Sequence, residues 1–162
     1  MPLTYNVIAS TTLGSNASSV QFTGFSGYTD LIIIGSWRYV SSGNDLGLRF
    51  NSDASNGNYP AQQIVGENIS AVANSNNGTS GRAVNNGFTS DDHAFEIHIM
   101  DYANTAQYKP YQSRFSGNNS WGMFAGTWLS NSAITTIDLV KSDGTGTIAA
   151  DSVFTLIGVL RA

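Results

Sequence analysis

The chain has 162 residues, of which only 7 are basic and 11 acidic, giving a formal net charge of −4. Nucleic-acid binding needs several cations clustered on one face, and the few Lys and Arg are scattered, so nucleic acid is excluded as a partner. The absence of cysteine excludes disulfides, thiolate nucleophiles and cysteine-ligated zinc. No stretch has the length and hydropathy of a membrane span or an export signal, so we expect neither membrane association nor classical export.

Short runs of Ile, Val, Phe, Tyr and Trp alternate with segments rich in Asn, Ser, Thr and Gly. Such runs, with apolar residues at every second position, indicate β-strands. The predicted strands, in chain order, are 5–9, 20–23, 30–40, 45–50, 62–67, 95–102, 111–115, 121–128, 134–140 and 153–160. This pattern predicts a single domain over residues 1–162: an all-β, antiparallel two-sheet sandwich that is jelly-roll-like.

Four segments carry more specific expectations. The continuous apolar run 31–34 predicts a central strand covered on both faces, and the apolar run at 153–160 predicts another central strand. A helical turn is expected near 60–64. The segment 70–90 is rich in Asn, Ser and Gly and poor in apolar residues, which predicts a long exposed loop with one short hairpin.

Candidate chemistry is sparse. Glu96 and His98 are two apart on a predicted strand and so share a face, with Asp91, Asp92 and Asp101 nearby. A metal-assisted hydrolase remains one hypothesis, but zinc needs a third ligand that the sequence does not nominate. A polar sheet face or a subunit contact is the favoured interpretation. We therefore predict no catalytic residue, no metal site and no cofactor, and we expect that the protein is not an enzyme.

The segment 51–57 alternates oxygen-bearing side chains like a calcium loop. It lacks the acidic residues and the distal Glu that a helix–loop–helix calcium site requires. A turn stabilised by Asx hydrogen bonds is the prediction.

Aromatic residues are the candidates for contact with a partner or ligand. Exposed rings can stack on sugars while Asn and Asp bond the hydroxyl groups. Trp121 and Trp128 are an odd number of residues apart, so they point to opposite faces of one strand and at least one belongs to the core. The predicted contact residues are Trp121, Tyr108, Tyr111 and Tyr59.

Four pieces of the sequence carry a resemblance: YTDLII at 28–33, LGLRFNSD at 46–53, NY at 58–59 and SVFTLIGV at 152–159. In this order they resemble small β-sandwich virion proteins of tailed bacteriophages, which serve as head-decoration (cement) proteins or as modules of tail fibres and knobs. The resemblance implies a structural, non-enzymatic protein that is made in the host bacterial cytoplasm and built into the virion.

The first functional hypothesis is a capsid decoration protein that binds the major capsid protein or other virion proteins as a homotrimer. The N-terminal strand and an adjacent loop are the expected contact surface, because sheet edges offer unpaired backbone groups. The alternative is a carbohydrate- or host-receptor-binding module of a tail fibre or head knob, using the loops around 70–90 and 108–121.

Overall fold

A computed structural model describes residues 4–38, 40, 44–67, 70–87, 92–117, 120–142 and 146–160. Within these residues the regular elements are twelve β-strands, and none of the described segments is a helix that could cross a membrane. The strands are β1 (Thr4–Thr12), β2 (Ser19–Thr23), β3 (Asp30–Trp37), β4 (Asn44–Phe50), β5 (Ala61–Glu67), β6 (Ser70–Asn76), β7 (Gly81–Gly87), β8 (His93–Ile99), β9 (Lys109–Ser116), β10 (Ser120–Trp128), β11 (Thr136–Lys141) and β12 (Val153–Leu160).

The strands form two antiparallel sheets of unequal size. The large sheet has eight strands in the order β1-β12-β3-β8-β9-β10-β5-β6, and the small sheet has four in the order β2-β11-β4-β7. Strand β7 packs across β8, β9, β10 and β5 of the large sheet. The predicted all-β, antiparallel two-sheet sandwich is therefore confirmed.

The core lies between the sheets and is built from every second residue of the facing strands. Leu31 and Ile33 of β3 are completely buried in the large sheet, as are Leu46 and Leu48 of β4 in the small sheet. The alternation is clearest in β9, where odd-numbered residues are buried and their neighbours are not. Burial of one face of each sheet is what the period-two pattern predicts.

The segment 70–90 is not a long exposed loop with a hairpin. Strand β6 pairs with β5 along all seven residues, and β7 pairs with β4 in the other sheet. Strand β6 is hydrogen-bonded to β5 through the backbone, and Ala83 and Val84 of β7 are buried in the core. The composition therefore gave no sign of either strand; residues 88–90 of this segment lie outside the described residues.

Two further expectations need correction. Residues 61–64 begin strand β5 instead of forming a helical turn, because they pair with β10 on one side and β6 on the other. Strand β3 is interior, between β12 and β8, but it is not covered on both faces. Ile34 is 39% exposed, because the small sheet covers only one face of the large one. Strand β12 lies between β1 and β3 and is interior as predicted.

A tight turn after β4 brings the carboxylate of Asp53 within hydrogen-bond distance of the buried Trp128. Asn51 and Ser52 have φ values of 53° and 56°, and the Asp53 N–H donates to the Phe50 carbonyl at 3.0 Å, as in a type I′ turn. The Asp53 carboxylate accepts hydrogen bonds from the Ser55 N–H at 2.8 Å and the Trp128 indole N–H at 2.7 Å. The predicted Asx turn is confirmed.

The environment of Asp53 changes its pKa. Burial alone would raise the pKa, but hydrogen bonds from Trp128, Ser55 and Asn58 outweigh it and hold the pKa well below the ordinary value. The ionised form is therefore the one that the folded protein stabilises.

Replacing Asp53 by alanine removes the acceptor of the buried Trp128 indole. An unsatisfied buried donor costs about 1–3 kcal/mol, so we expect Asp53→Ala to lower the free energy of unfolding in urea by that amount. The control Asn56→Ala changes an exposed side chain of the same loop and should change stability by less than about 0.5 kcal/mol. Folding lowers the Asp53 pKa, so wild-type stability should decline as the pH falls below 3.8, the ordinary Asp value. If the stability of Asp53→Ala fell by the same amount over the same pH range, Asp53 would not be the group responsible for the loss.

Candidate binding surface

The outer face of the large sheet is the candidate binding surface. The small sheet covers only the inner face, and shallow depressions on the outer side follow strands β8, β9, β10 and β5. The strand register orders the outward side chains into transverse rows. One row reads Ser10, Thr155, Ile34, Glu96, Arg114, Met123, Ile64 and Ala73. The next reads Val7, Ile157, Ile32, His98, Gln112, Ala125, Gln62 and Ser75.

Polar residues occupy the middle of these rows. Glu96 and Arg114 form an ion pair at 2.9 Å between neighbouring strands. Their side chains are 35% and 69% exposed, so the pair contributes under about 1 kcal/mol to stability. His98 lies on the same face as Glu96, as predicted, and its Nε2 is 3.3 Å from the buried carboxylate of Asp30. Asp30 also accepts a hydrogen bond from the Asp101 N–H at 2.9 Å.

These contacts separate the residues of the metal-assisted hydrolase hypothesis. Glu96 pairs with Arg114, whereas His98 pairs with Asp30. Asp92 lies near Arg38 at 3.5 Å, and Asp91 lies outside the described residues. No group of three metal-ligating side chains occurs in the part of the chain that the structure describes.

An apolar platform lies on one side of this polar band. It consists of Trp121, Met123 and Ile64, which are 55%, 57% and 57% exposed. Met123 and Ile64 are directly opposite each other on β10 and β5. The Trp121 indole lies over Gly66, where any Cβ would collide with the ring. One face of the indole therefore rests on backbone, and the ring remains widely accessible.

A second apolar cluster, the edge patch, lies on the other side of the band. Tyr5 and Val7 of β1 are 59% and 69% exposed, and Val7 continues across the sheet to Ile157 and Ile32. On its other side β1 has no partner among the described strands. The first charged side chain of the sequence is Asp30, so this edge carries no Lys or Glu of the kind that protects exposed strands.

Tyr59 and Tyr111 are not surface contacts; both are 1% exposed. The Tyr59 hydroxyl accepts from the Phe50 N–H at 3.1 Å and donates to the Asp53 carbonyl at 3.0 Å. Tyr111 points inward on β9, where its ring fits against Gly81 and Gly126. Burial raises the pKa of both phenols. The aromatic content alone could not distinguish these core rings from exposed ones.

Trp121 and Tyr108 are exposed as predicted, Tyr108 by 52%. They lie at opposite ends of the β9–β10 hairpin, since Trp121 pairs with Ser116 and Trp128 with Lys109. Seven residues of strand separate the two ends by about 23 Å, so the residues do not form one site. Sequence reasoning missed Met123 and Ile64. Period-two alternation along β10 puts Met123 on the same face as Trp121. No local feature of the sequence indicates that β10 pairs with β5, so Ile64 could not be placed beside them.

The two tryptophans of β10 should respond differently to truncation. Trp128 is 3% exposed, so Trp128→Ala should lower the free energy of unfolding by about 3–5 kcal/mol. Trp121→Ala removes an exposed ring and should change it by less than about 1 kcal/mol. Urea denaturation of both variants measures the difference, and equal losses would contradict the burial of Trp128.

No known protein family matches this sequence, and no curated protein matches it. Among solved structures, sheep galectin-11 in complex with glycerol matches with 12% identity and a TM-score of 0.35, over 86% of this chain and 98% of that one. The P-domain of Macrobrachium rosenbergii nodavirus matches with 12% identity and a TM-score of 0.27, over 98% and 91%. A xylan β-1,4-xylosidase from Bacillus halodurans matches with 5% identity and a TM-score of 0.31. That match covers 88% of this chain but 33% of the enzyme.

These structural likenesses are too weak to carry an argument about function. Of the resemblance drawn from the sequence, the small β-sandwich is confirmed by the fold itself. Its bacteriophage origin and its place in a virion stay predictions.

Proposed function

We propose that the protein is a structural component of a bacteriophage virion, a capsid decoration protein that attaches to the major capsid protein. The observation that carries the proposal is the exposed, uncharged edge of β1 with its edge patch. An edge strand offers a row of backbone N–H and C=O groups, and an extended segment of another protein adds to it as a further strand.

The bulge in β1 defines where such a segment would bind. The register with β12 shifts between Val7 and Ala9, which divides the edge into two straight segments. Residues 4–7 carry the two large exposed apolar side chains of the edge, Tyr5 and Val7. A partner strand paired here would place an outward side chain beside Val7 and so continue the row that Val7 forms with Ile157 and Ile32.

The low charge of this region favours docking energetically. Charges removed from water at an interface cost several kcal/mol unless they are well paired, whereas hydroxyls and amides need only a hydrogen-bond partner. The edge presents Thr4, Asn6 and Ser10 beside its apolar residues, so a partner meets no ionised group. A specific interface needs roughly 800 Å² from each partner, which is more than one edge provides, so an adjacent loop must contribute.

We propose that the attached unit is a homotrimer. Positions where three capsomers meet present three equivalent surfaces, and a closed three-fold ring occupies all of them at once. Simultaneous attachment multiplies modest contacts into strong overall binding.

A charge placed in the edge patch should prevent attachment. Val7→Lys brings an unpaired ammonium to the docking edge, and we expect on the order of tenfold weaker co-sedimentation with heads of the phage that encodes the chain. Tyr108→Lys adds the same charge to an exposed side chain four strands away and should sediment like the wild type. Failure of the wild-type protein to sediment with heads would refute the proposal. So would undiminished binding of Val7→Lys.

The oligomeric state can be measured separately. We expect light scattering after gel filtration to give three times the chain mass of 17.2 kDa. A mass that remains that of one chain at the highest concentrations reached would exclude the trimer.

A further inference from the structure

We propose that the outer face of the large sheet, over β8, β9, β10 and β5, binds a neutral oligosaccharide. Trp121 stacks on one sugar ring, and the rings that follow along the strands are bonded through their hydroxyls, first by Arg114 and Glu96 one row away and then by Gln112 and Gln62 two rows away. This site is distinct from the β1 edge that we propose for attachment.

The floor of the site, formed by Trp121, Met123 and Ile64, is apolar and matches the apolar face of a sugar ring. The apolar face of a pyranose carries C–H groups, which pack against the electron-rich face of an aromatic ring. Gly66 supports the Trp121 indole from below and so holds the ring against the sheet. Met123 and Ile64 extend the apolar floor along the next row.

The polar groups beside the floor match hydroxyl chemistry. A hydroxyl both donates and accepts, so a site for it needs donors and acceptors side by side. Gln112 and Gln62 flank Ala125 in one row and supply amide groups of both kinds. Arg114 lies next to Met123 and donates, whereas its partner Glu96 accepts.

The charge balance favours a neutral ligand over an anionic one. Glu96 and Arg114 neutralise each other, and the two glutamines are uncharged. The chain as a whole has a net charge of −4, which repels sulfated and sialylated glycans. The face is open and spans four strands, roughly 14 Å at 4.8 Å per strand, which accommodates a short oligosaccharide lying flat.

The test uses an array of neutral hexose and N-acetylhexosamine oligosaccharides, with sialylated and sulfated glycans as comparators. We expect binding to neutral members, and calorimetric titration with the strongest of them gives the dissociation constant. Trp121→Ala should weaken binding about tenfold or more, and Trp121→Phe should retain part of it. Gly66→Ala displaces the indole without removing it and should also weaken binding.

Tyr108→Ala is the matched control, because it removes an exposed aromatic ring at the far end of the same hairpin and should leave affinity unchanged. Absence of binding to every neutral glycan would overturn the proposal, as would binding confined to anionic glycans. Wild-type affinity in Trp121→Ala would do the same. The result is independent of virion attachment: Val7→Lys should bind glycan normally, and Trp121→Ala should still sediment with heads.

Discussion

Phe50 joins the two sheets. It ends β4 of the small sheet, and its ring contacts Tyr111 of β9 and Trp128 of β10 at centroid distances of 6.1 and 5.7 Å. Tyr59 packs on the same ring, and its hydroxyl accepts a hydrogen bond from the Phe50 N–H. Aromatic contacts of this kind add about 0.5–1.5 kcal/mol each to the area that they bury. The tight turn that follows Phe50 brings Asp53 to Trp128. Trp128 is therefore held both by packing against Phe50 and by a hydrogen bond to Asp53.

The unequal size of the sheets determines what remains for function. Four strands cover one face of eight, so the inner face makes the core and the outer face stays open to solvent. On that outer face the apolar residues divide into two groups, around Val7 and around Trp121, with Glu96 and Arg114 between them. Separation by a polar band keeps each apolar group small, which limits non-specific association. The two binding sites that we propose lie in these two separate groups.

The sequence was sufficient for the fold class because period-two alternation is a local signal. It predicted ten of the twelve strands and the opposite facing of Trp121 and Trp128, both of which follow from spacing along one strand. It missed β6 and β7, whose polar composition conceals strands that are held by their neighbours' backbones. It placed Tyr59 and Tyr111 on the surface. Tyr111 is buried against Gly81 and Phe50, which are distant in the chain, and Tyr59 packs on Phe50 from an irregular segment that has no period-two pattern. Binding surfaces arise from such distant pairings.

The low number of charged residues has a different consequence at the β1 edge and around Trp121. At the β1 edge, where we propose that a partner strand adds, docking would desolvate no ionised side chain of this strand. Beside the apolar platform, the polar groups are two amides, Gln112 and Gln62, and one neutralised ion pair, which suit hydroxyls better than phosphates or carboxylates. A decoration protein that also holds sugars would bring a phage head close to a glycan-covered cell surface. Many identical copies on one particle would make even weak individual contacts effective, because the attachments act together.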